Sequence, residues 1–306
     1  MKTISNGNVT VQIEEHGAEM ASIKCNGREY LWGAYPEYWK RHSPVLFPIV
    51  GSVWNGEFCT KGNTYKMGQH GLARDLDFQP LSLSATEAWF ELSSTDETLK
   101  RYPYPFVLRI GYVLHDKSID VCWEVENPSD DDIFFQIGAH PAFYWPMLQN
   151  NVIEGGVACM EAELAKSSQR GFFLLSPNHE TLKCTVITQG GCVDKSVNKS
   201  VTLQNGYLPL NTETFNDDAL ILENGQVNRV TLCDDEKKPY LTVRFSAPLV
   251  GLWSPPHKNA PFVCIEPWYG RTDAVGYDGS FESREWMNRL AAGDTFKASY
   301  EIIIED

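Results

Sequence analysis

Short segments in which apolar and polar residues alternate dominate this chain of 306 residues. Alternation with a period of two places successive side chains on opposite faces of a strand, so each segment predicts a β-strand with one buried face. The clearest segments are residues 9–13, 106–114, 119–125, 219–222, 230–233, 240–245 and 296–304. Turn-forming pairs separate such segments along the chain, among them Asn26-Gly27, Asn55-Gly56, Asn127-Pro128, Asn205-Gly206 and Asn224-Gly225. The pattern indicates many short strands joined by turns.

Helical periodicity is rare in the sequence, and this restricts how the strands can be connected. The best helical candidate, residues 284–292, is short. Parallel strands need long crossover connections, usually helices, whereas antiparallel strands can follow one another through turns. We therefore expect an all-β fold, a large antiparallel β-sandwich. No internal repeat, low-complexity tract or Pro/Ser linker divides the sequence, so we expect one domain over residues 1–306.

The formal net charge of −14 restricts the partners of the chain. An acidic protein repels phosphate backbones and anionic lipid, and no basic run in the sequence reverses this locally. We therefore expect neither nucleic acid nor membrane as a partner. The first residues lack the apolar core of a signal peptide, and no later stretch approaches the roughly 18 apolar residues of a spanning helix. We expect a cytoplasmic monomer or homodimer with a small-molecule substrate.

The cysteines give no sign of a metal centre or a disulfide framework. None forms a CxxC pair, and none has the Cys/His spacing of zinc sites. Several lie inside apolar alternating segments, as buried free thiols do. The eight cysteines are Cys25, Cys59, Cys122, Cys159, Cys184, Cys192, Cys233 and Cys264. We expect free thiols and no bound metal.

Two apolar segments carry ionisable side chains at their ends. The segment FFQIGAHP (134–141) reads as a strand that ends at His140, since Pro141 stops regular pairing. In PFVCIEPWYG (261–270), Glu266 follows an apolar run and precedes another proline, which predicts a carboxylate at the rim of the core. Imidazole titrates near neutral pH, and a poorly solvated carboxylate is costly without a partner. Taken alone, each residue could instead be a structural hydrogen-bond anchor.

Two further stretches carry groups suited to holding a ligand. QHGLARD places His70 and Arg74 on either side of Gly71, which permits close approach of the backbone. Arg74 could equally pair with Asp75 or Asp77.

In TFNDDAL (214–220), Asp218 enters a predicted strand, where it could accept hydrogen bonds from sugar hydroxyls or cap a loop. Aromatic residues lie near these polar candidates and could stack on sugar C–H groups, although most of them are expected to serve packing. The nearest are Trp145, Trp253, Trp268 and Tyr269.

Together these residues indicate proton transfer on a polyhydroxylated substrate. One histidine and one glutamate can serve as acid and base, and the other polar groups can bind hydroxyls. The sequence contains no GxSxG, no HExxH and no dinucleotide fingerprint, so no cofactor is expected.

The order and spacing of several segments identify a family resemblance over nearly the full length. These segments are GAE (17–19), SI (22–23), EYLW (29–32), PVLFPIVG (44–51), QHGLARD (69–75), GAHPAF (138–143), DAL (218–220) and EPW (266–268). In them the chain resembles the aldose 1-epimerase (galactose mutarotase) superfamily, and within it the LacX-like branch.

The resemblance implies a galactose mutarotase-like β-sandwich that binds sugar in a groove and interconverts the α and β anomers of a hexose without a cofactor. It implies that Glu266 is the general base and His140 the general acid. It also implies that His70, Arg74 and Asp218 bind the substrate. Glu266 would remove the proton of the C1 hydroxyl while His140 protonates the ring oxygen, which opens the ring.

One departure from the family pattern leaves the sugar open. Where relatives often carry an arginine after LFPIVG, this chain has Ser52, so either that donor to the substrate is missing or Arg74 or a loop arginine covers its role. A hexose-6-phosphate 1-epimerase is an alternative, and it requires basic side chains for the phosphate. A non-catalytic sugar-binding or regulatory module is another. A glycoside-processing enzyme would need two carboxylates flanking the bond, for which the sequence offers only Glu266 with Asp218.

Overall fold

The computed structural model describes residues 1–166, 169–177 and 179–305, and β-strands are its main regular structure. The strands are β1 (Lys2–Ser5), β2 (Val9–Ile13), β3 (Met20–Cys25), β4 (Arg28–Glu29), β5 (Val45–Leu46), β6 (Glu57–Thr60), β7 (Asn63–Lys66), β8 (Gln79–Leu83), β9 (Glu87–Ser93), β10 (Val107–His115), β11 (Ser118–Glu126), β12 (Ile133–Phe135), β13 (Ile137–Ala139), β14 (Ala142–Tyr144), β15 (Gln169–Pro177), β16 (Thr181–Thr185), β17 (Lys199–Thr202), β18 (Tyr207–Asn211), β19 (Leu220–Leu222), β20 (Val227–Cys233), β21 (Pro239–Phe245), β22 (Leu249–Trp253), β23 (Phe262–Tyr269), β24 (Asn288–Leu290) and β25 (Thr295–Ile304). The α-helices are α1 (Asp96–Leu99), α2 (Asn150–Glu154) and α3 (Val157–Leu164). Within the described ranges, no helix is long and apolar enough to cross a bilayer.

Two large antiparallel sheets pack face to face, which confirms the predicted β-sandwich. One has nine strands in the order β18-β15-β20-β21-β25-β11-β10-β9-β8. The other runs β17-β16-β19-β22-β23-β13-β5, and β14 adds to it by pairing with β23. Tyr269 of β23 meets Trp123 of β11 and Phe296 of β25, with ring centroids 6.4 Å and 5.3 Å apart. The main apolar core therefore lies between these sheets.

The strand predictions are confirmed, whereas the helix prediction is wrong. Each of the seven alternating segments coincides with all or most of a strand, and Ser118–Glu126 buries every second side chain along its length. Residues 284–292, predicted as a helix, contain β24 instead, which pairs with β12. Trp286 has a φ of 60°, which a right-handed helix does not allow. Strand pairing between distant parts of the chain thus overrides a weak local pattern.

Strand β23 is buried on both faces, and this places the site. Val263 and Ile265 belong to the main core, whereas Cys264 and Trp268 belong to two smaller apolar clusters. Because successive side chains alternate between faces, Glu266 lies on the same face as Cys264 and Trp268. Glu266 therefore faces away from the nine-stranded sheet.

Candidate active site

A gap in strand pairing brings His140 to β23. Strand β14 pairs with the first part of β23 and β13 with its end, and the link between them runs through His140 and Pro141. Within this gap, Ile265 N–H donates to Pro141 O at 3.3 Å. Residues two apart direct their N–H groups to the same side of a strand, so Pro267 lacks its donor on this open side. The proline therefore fits inside β23 at this position.

Glu266 and His140 are in direct contact inside the protein. The Glu266 Oε2 atom lies 3.3 Å from His140 Nε2, and the side chains are 1% and 8% exposed. The sequence prediction placed Glu266 at the rim of the core after a strand, and this is wrong. The strand continues through Pro267 to Tyr269, so Glu266 is an interior strand residue. The contact brings a carboxylate and an imidazole together, two groups that can act in proton transfer.

One cavity of about 320 Å³ opens onto this pair. It is lined by all five residues singled out from the sequence, which are His70, Arg74, His140, Asp218 and Glu266. A larger groove of about 620 Å³ runs along residues 146–152 and 234–240, but none of the five lines it. We regard the smaller cavity as the candidate site, because it combines a concave shape with converging polar groups.

His70 presents a defined donor to this cavity. Its Nδ1 accepts the N–H of Gly51 at 3.1 Å, so the neutral ring carries its proton on Nε2. Burial lowers the pKa of His70 well below 6.5, and the neighbouring His140 and Arg74 lower it further. His70 has a φ of 64°, a region that costs energy for a residue other than glycine. Its neighbour Gly71 is required for packing, because a Cβ there would lie 2.2 Å from Phe47 O.

Arg74 is held beside the cavity by partners from its own segment. Its Nη2 donates to Gln69 O at 2.7 Å, and its Nε lies 4.0 Å from Asp75 Oδ2. Arg41 makes the closer ion pair with Asp75, at 2.6 Å, whereas Asp77 lies against His16. Burial, with the charge of Arg41, lowers the pKa of Arg74 to about 10. The guanidinium is therefore still charged at neutral pH.

Asp218 reaches the cavity from the turn that precedes β19. Its φ is 73°, and its carboxylate accepts the N–H of Ala219 at 2.8 Å. The strand begins two residues later than Asp218, so the residue lies in a turn and not at a strand start as predicted. Asp218 thus lines the cavity and also makes a local capping contact with the backbone.

Two of the four aromatic residues noted in the sequence line the cavity. Trp268 and Trp253 do so, whereas Trp145 and Tyr269 pack in the main core. The Trp268 indole lies across the backbone of β13 and β22, where only glycine fits. A Cβ at Gly138 would be 2.5 Å from its ring, and one at Gly251 would be 2.4 Å away.

Ser52 supports the wall of the cavity without lining it. Its N–H donates to Thr272 Oγ1 at 3.0 Å, and that hydroxyl lies 2.6 Å from Gly191 O. A Cβ at Gly191 would meet Ser52 Oγ at 3.0 Å, so the serine packs under this turn. Thr272 and Gly191, which contact Ser52, line the cavity themselves. Arg74 also lines it and is the lining residue that carries a guanidinium group.

Burial favours the neutral forms of both members of the central pair. It raises the pKa of Glu266 well above 4.5, and the nearby Asp218 carboxylate raises it further. Burial and the charge of Arg74 lower the pKa of His140 to about 3. In the free protein burial therefore disfavours both the Glu266 carboxylate and the His140 imidazolium.

Cys264 lies close to this pair, and the three side chains together form a set of potential metal ligands. One potential ligand atom from each of His140, Cys264 and Glu266 falls within 4.8 Å of the others. Cys264 does not line the cavity, and burial raises the pKa of its thiol well above 9. His140 and Glu266 are therefore the members of this set that face the cavity, and an imidazole beside a carboxylate fits proton transfer.

Sequence reasoning missed several cavity residues, of which Trp39 has the most contacts with the central pair. Its ring stacks on His140 with centroids 4.7 Å apart and planes at 27°. Thr272, Gln69 and Ile187 were also missed. Gln69 belongs to the QHGLARD segment, of which only His70 and Arg74 were predicted to bind a ligand. Trp39, Thr272 and Ile187 lie in loops whose sequences show neither periodicity nor a motif, so only the folded arrangement identifies them.

Comparisons with known proteins agree with the fold. Residues 1–302 match the family model described as aldose 1-epimerase. Protein LacX of Lactococcus lactis subsp. lactis, in plasmid and chromosomal forms, is 30% identical over 309 residues, with 98% of each chain covered. The structure of a galactose mutarotase-related enzyme from Lactobacillus acidophilus superposes with a TM-score of 0.88 at 34% identity, covering 100% of this chain and 97% of that one. A galactose mutarotase-like protein from Lactobacillus casei ATCC 334 gives a TM-score of 0.86 at 26% identity, with 100% of both chains covered.

Proposed function

This chain belongs to the aldose 1-epimerase family, and on that basis we propose that it is a cofactor-independent mutarotase that interconverts the α and β anomers of a free hexose. The observation that carries this proposal is the 3.3 Å contact between Glu266 and His140 at a sugar-sized cavity. We also propose that residues 1–306 act as one domain, since the family model spans residues 1–302.

The proposed reaction moves two protons and leaves the total unchanged. The competent form carries the carboxylate at Glu266 and the imidazolium at His140. Glu266 takes the proton of the C1 hydroxyl while His140 gives its Nε2 proton to the ring oxygen, and the C1–O5 bond breaks. The products are the open-chain aldehyde, a protonated Glu266 and a neutral His140. Rotation about C1–C2 and the reverse transfers give the other anomer.

The electrostatics of the site support this cycle. The neutral pair that burial favours has the protonation state of the ring-opened complex. It also has the same number of protons as the ion pair that begins the reaction. Glu266 Oε2 lies 3.3 Å from His140 Nε2 and has no hydrogen-bond partner among the described residues, which leaves it available to a C1 hydroxyl. Burial thus favours, on these two side chains, the protonation state that follows ring opening.

Three other residues are proposed to hold the sugar. His70 offers its Nε2–H and Arg74 its guanidinium to ring or hydroxyl oxygens, while Asp218 accepts hydrogen bonds from hydroxyls. Trp253 and Trp268 give apolar surfaces for the C–H faces of the ring.

The charges around the cavity favour an uncharged sugar over a hexose 6-phosphate. Among the described residues that line it, Arg74 is the one with a permanent positive charge, and Asp218 contributes a carboxylate. Arg74 also lies near Asp75, which Arg41 already pairs. A phosphate dianion would need a surplus of positive charge that this lining does not supply.

Exchange NMR between anomers tests the proposal directly. Purified protein is expected to accelerate α/β exchange of at least one free hexose above the spontaneous rate, and to accelerate the corresponding 6-phosphate less. Heat-denatured protein is the control. Binding of free hexoses without acceleration would instead identify a sugar-binding module. Acceleration of the phosphates alone would reverse the substrate assignment.

The pH dependence of kcat/KM follows from the shared proton. Below the raised pKa of Glu266 the pair holds its proton, and a second proton binds only near the His140 pKa of about 3. We expect kcat/KM to stay flat on the acid side down to about pH 4 and to fall as the pH rises through the raised pKa, because the pair then loses its acid. Rates corrected for spontaneous exchange at each pH measure this. A loss of activity on the acid side, centred near pH 6.5 as the pH falls, would contradict it.

A further inference from the structure

Among the described residues, His140 finds no partner for the second hydrogen bond that usually orients a catalytic histidine. Its buried Nδ1 has no hydrogen-bond partner in this part of the chain, while Nε2 faces Glu266. In many sites a carboxylate or carbonyl on the far nitrogen fixes the ring and supports its charge. In this site some other contact must fix the ring.

Aromatic rings enclose His140 instead. Trp39 stacks on its face, with centroids 4.7 Å apart and planes at 27°. The Trp253 ring lies nearly perpendicular to it at 5.3 Å and 83°, and the His70 ring does so at 5.5 Å and 89°. Of these three, the Trp39 indole is the ring that lies nearly parallel to the imidazole, face to face.

Hydrogen bonds hold the backbone around Trp39 in place, and this fixes the position from which its ring stacks on His140. Its carbonyl accepts the indole N–H of Trp32 at 2.8 Å, and its own N–H donates to Tyr35 O at 3.1 Å. The preceding carbonyl, that of Tyr38, accepts from Lys258 Nζ at 3.0 Å. The indole also stacks at 28° on Phe262 of β23. Trp39 is thereby tied to the strand that carries Glu266.

We propose that Trp39 is a positioning residue for His140: its indole face keeps the imidazole aligned with Glu266 and stabilises the imidazolium form. The catalytic consequence rests on the mutarotase function proposed above, whereas the effect on His140 itself does not.

The need for such a contact follows from the groups that face His140. Arg74 and Arg41 oppose a positive charge on the ring, as does burial. His70 is neutral, and the Cys264 thiol is uncharged. The Glu266 carboxylate, the Trp39 π face and a contact with the backbone of His140 itself favour the imidazolium. A tryptophan face is the strongest aromatic partner for a cation, and its effect increases when water is excluded.

The test compares Trp39→Leu, which keeps bulk but removes the π face, with Trp39→Phe, which keeps a smaller π face. Trp89→Leu is the matched control, because Trp89 is a half-buried indole on β9 of the other sheet. Thermal melting checks the fold of each variant. The ¹⁵N shifts of the His140 ring, recorded without sugar from pH 8 down to pH 3, which reaches the His140 pKa of about 3, report the share of imidazolium; the signal is assigned from its loss in His140→Asn.

We expect less imidazolium character in Trp39→Leu at every pH, an intermediate value in Trp39→Phe, and no change in Trp89→Leu. On a hexose that the wild type turns over, kcat should fall by about tenfold in Trp39→Leu and by less in Trp39→Phe, with KM little changed. If Trp39→Leu fails to fold, the smaller shift in Trp39→Phe carries the test.

Unchanged His140 shifts in both variants would overturn the proposal, as would a rise in KM with constant kcat, which indicates sugar stacking alone. The ¹⁵N measurement needs no substrate. It therefore still shows whether Trp39 affects the protonation of His140, even if no sugar proves to be turned over.

Discussion

Glu266→Gln is expected to lower kcat for anomer exchange by roughly 10²- to 10⁴-fold while sugar binding persists. Glutamine has nearly the same shape and can still hydrogen-bond, but it cannot accept the C1 hydroxyl proton. The loss should therefore appear in kcat and kcat/KM together, with little change in the dissociation constant. Exchange NMR gives the rate and calorimetry gives the binding.

Glu29→Gln is the matched control for this substitution. The Glu29 carboxylate accepts the Ser22 hydroxyl at 2.5 Å and the Ile23 N–H at 2.8 Å, away from the cavity. We expect that variant to lose stability but keep its turnover. If Glu266→Gln turned over sugar as fast as the wild type, Glu266 would not be the base.

His140→Asn should cost about as much, roughly 10²- to 10⁴-fold in kcat, because the ring oxygen then loses its proton donor. The two residues exchange one proton, so their losses should not add. We expect the double variant Glu266→Gln/His140→Asn to be only slightly slower than either single variant, as in other catalytic groups that act as a unit. The same exchange assay measures all three.

A multiplicative loss in the double variant would mean that the residues act independently, against the proposed cycle. Asparagine keeps a hydrogen-bonding group next to Glu266, so the single variant tests the proton transfer with limited disturbance of packing. Melting temperatures of the variants separate a catalytic loss from a folding defect.

The strands were predictable because their signal is local. A residue such as Val121 is buried because of its place in an alternating segment, whatever strand pairs with it. The helix predicted at 284–292 does not form because a non-local contact decides the backbone there: β24 pairs with β12, some 150 residues away in the sequence. No local pattern contains that information.

The candidate site was likewise predictable in part. Each of the five predicted site residues lies in a short motif, and the family resemblance suggested a role for each of them. The contact of His140 with Glu266 depends on the gap between β13 and β14, where Pro267 sits, and this follows only from strand register. Trp39 and Thr272 come from loops and have no sequence signal at all. Proximity between distant segments had to come from the fold.

Gly138 and Gly251 set the depth of the pocket. Neither has a positive φ, so either backbone position could carry a methyl group if the Trp268 indole were not directly above it. A side chain at either position would push the Trp268 indole into the cavity and make the cavity shallower, while every lining residue stays the same. Relatives with identical lining residues can therefore differ in the size of sugar they admit, and an alignment of the lining residues alone would not reveal it.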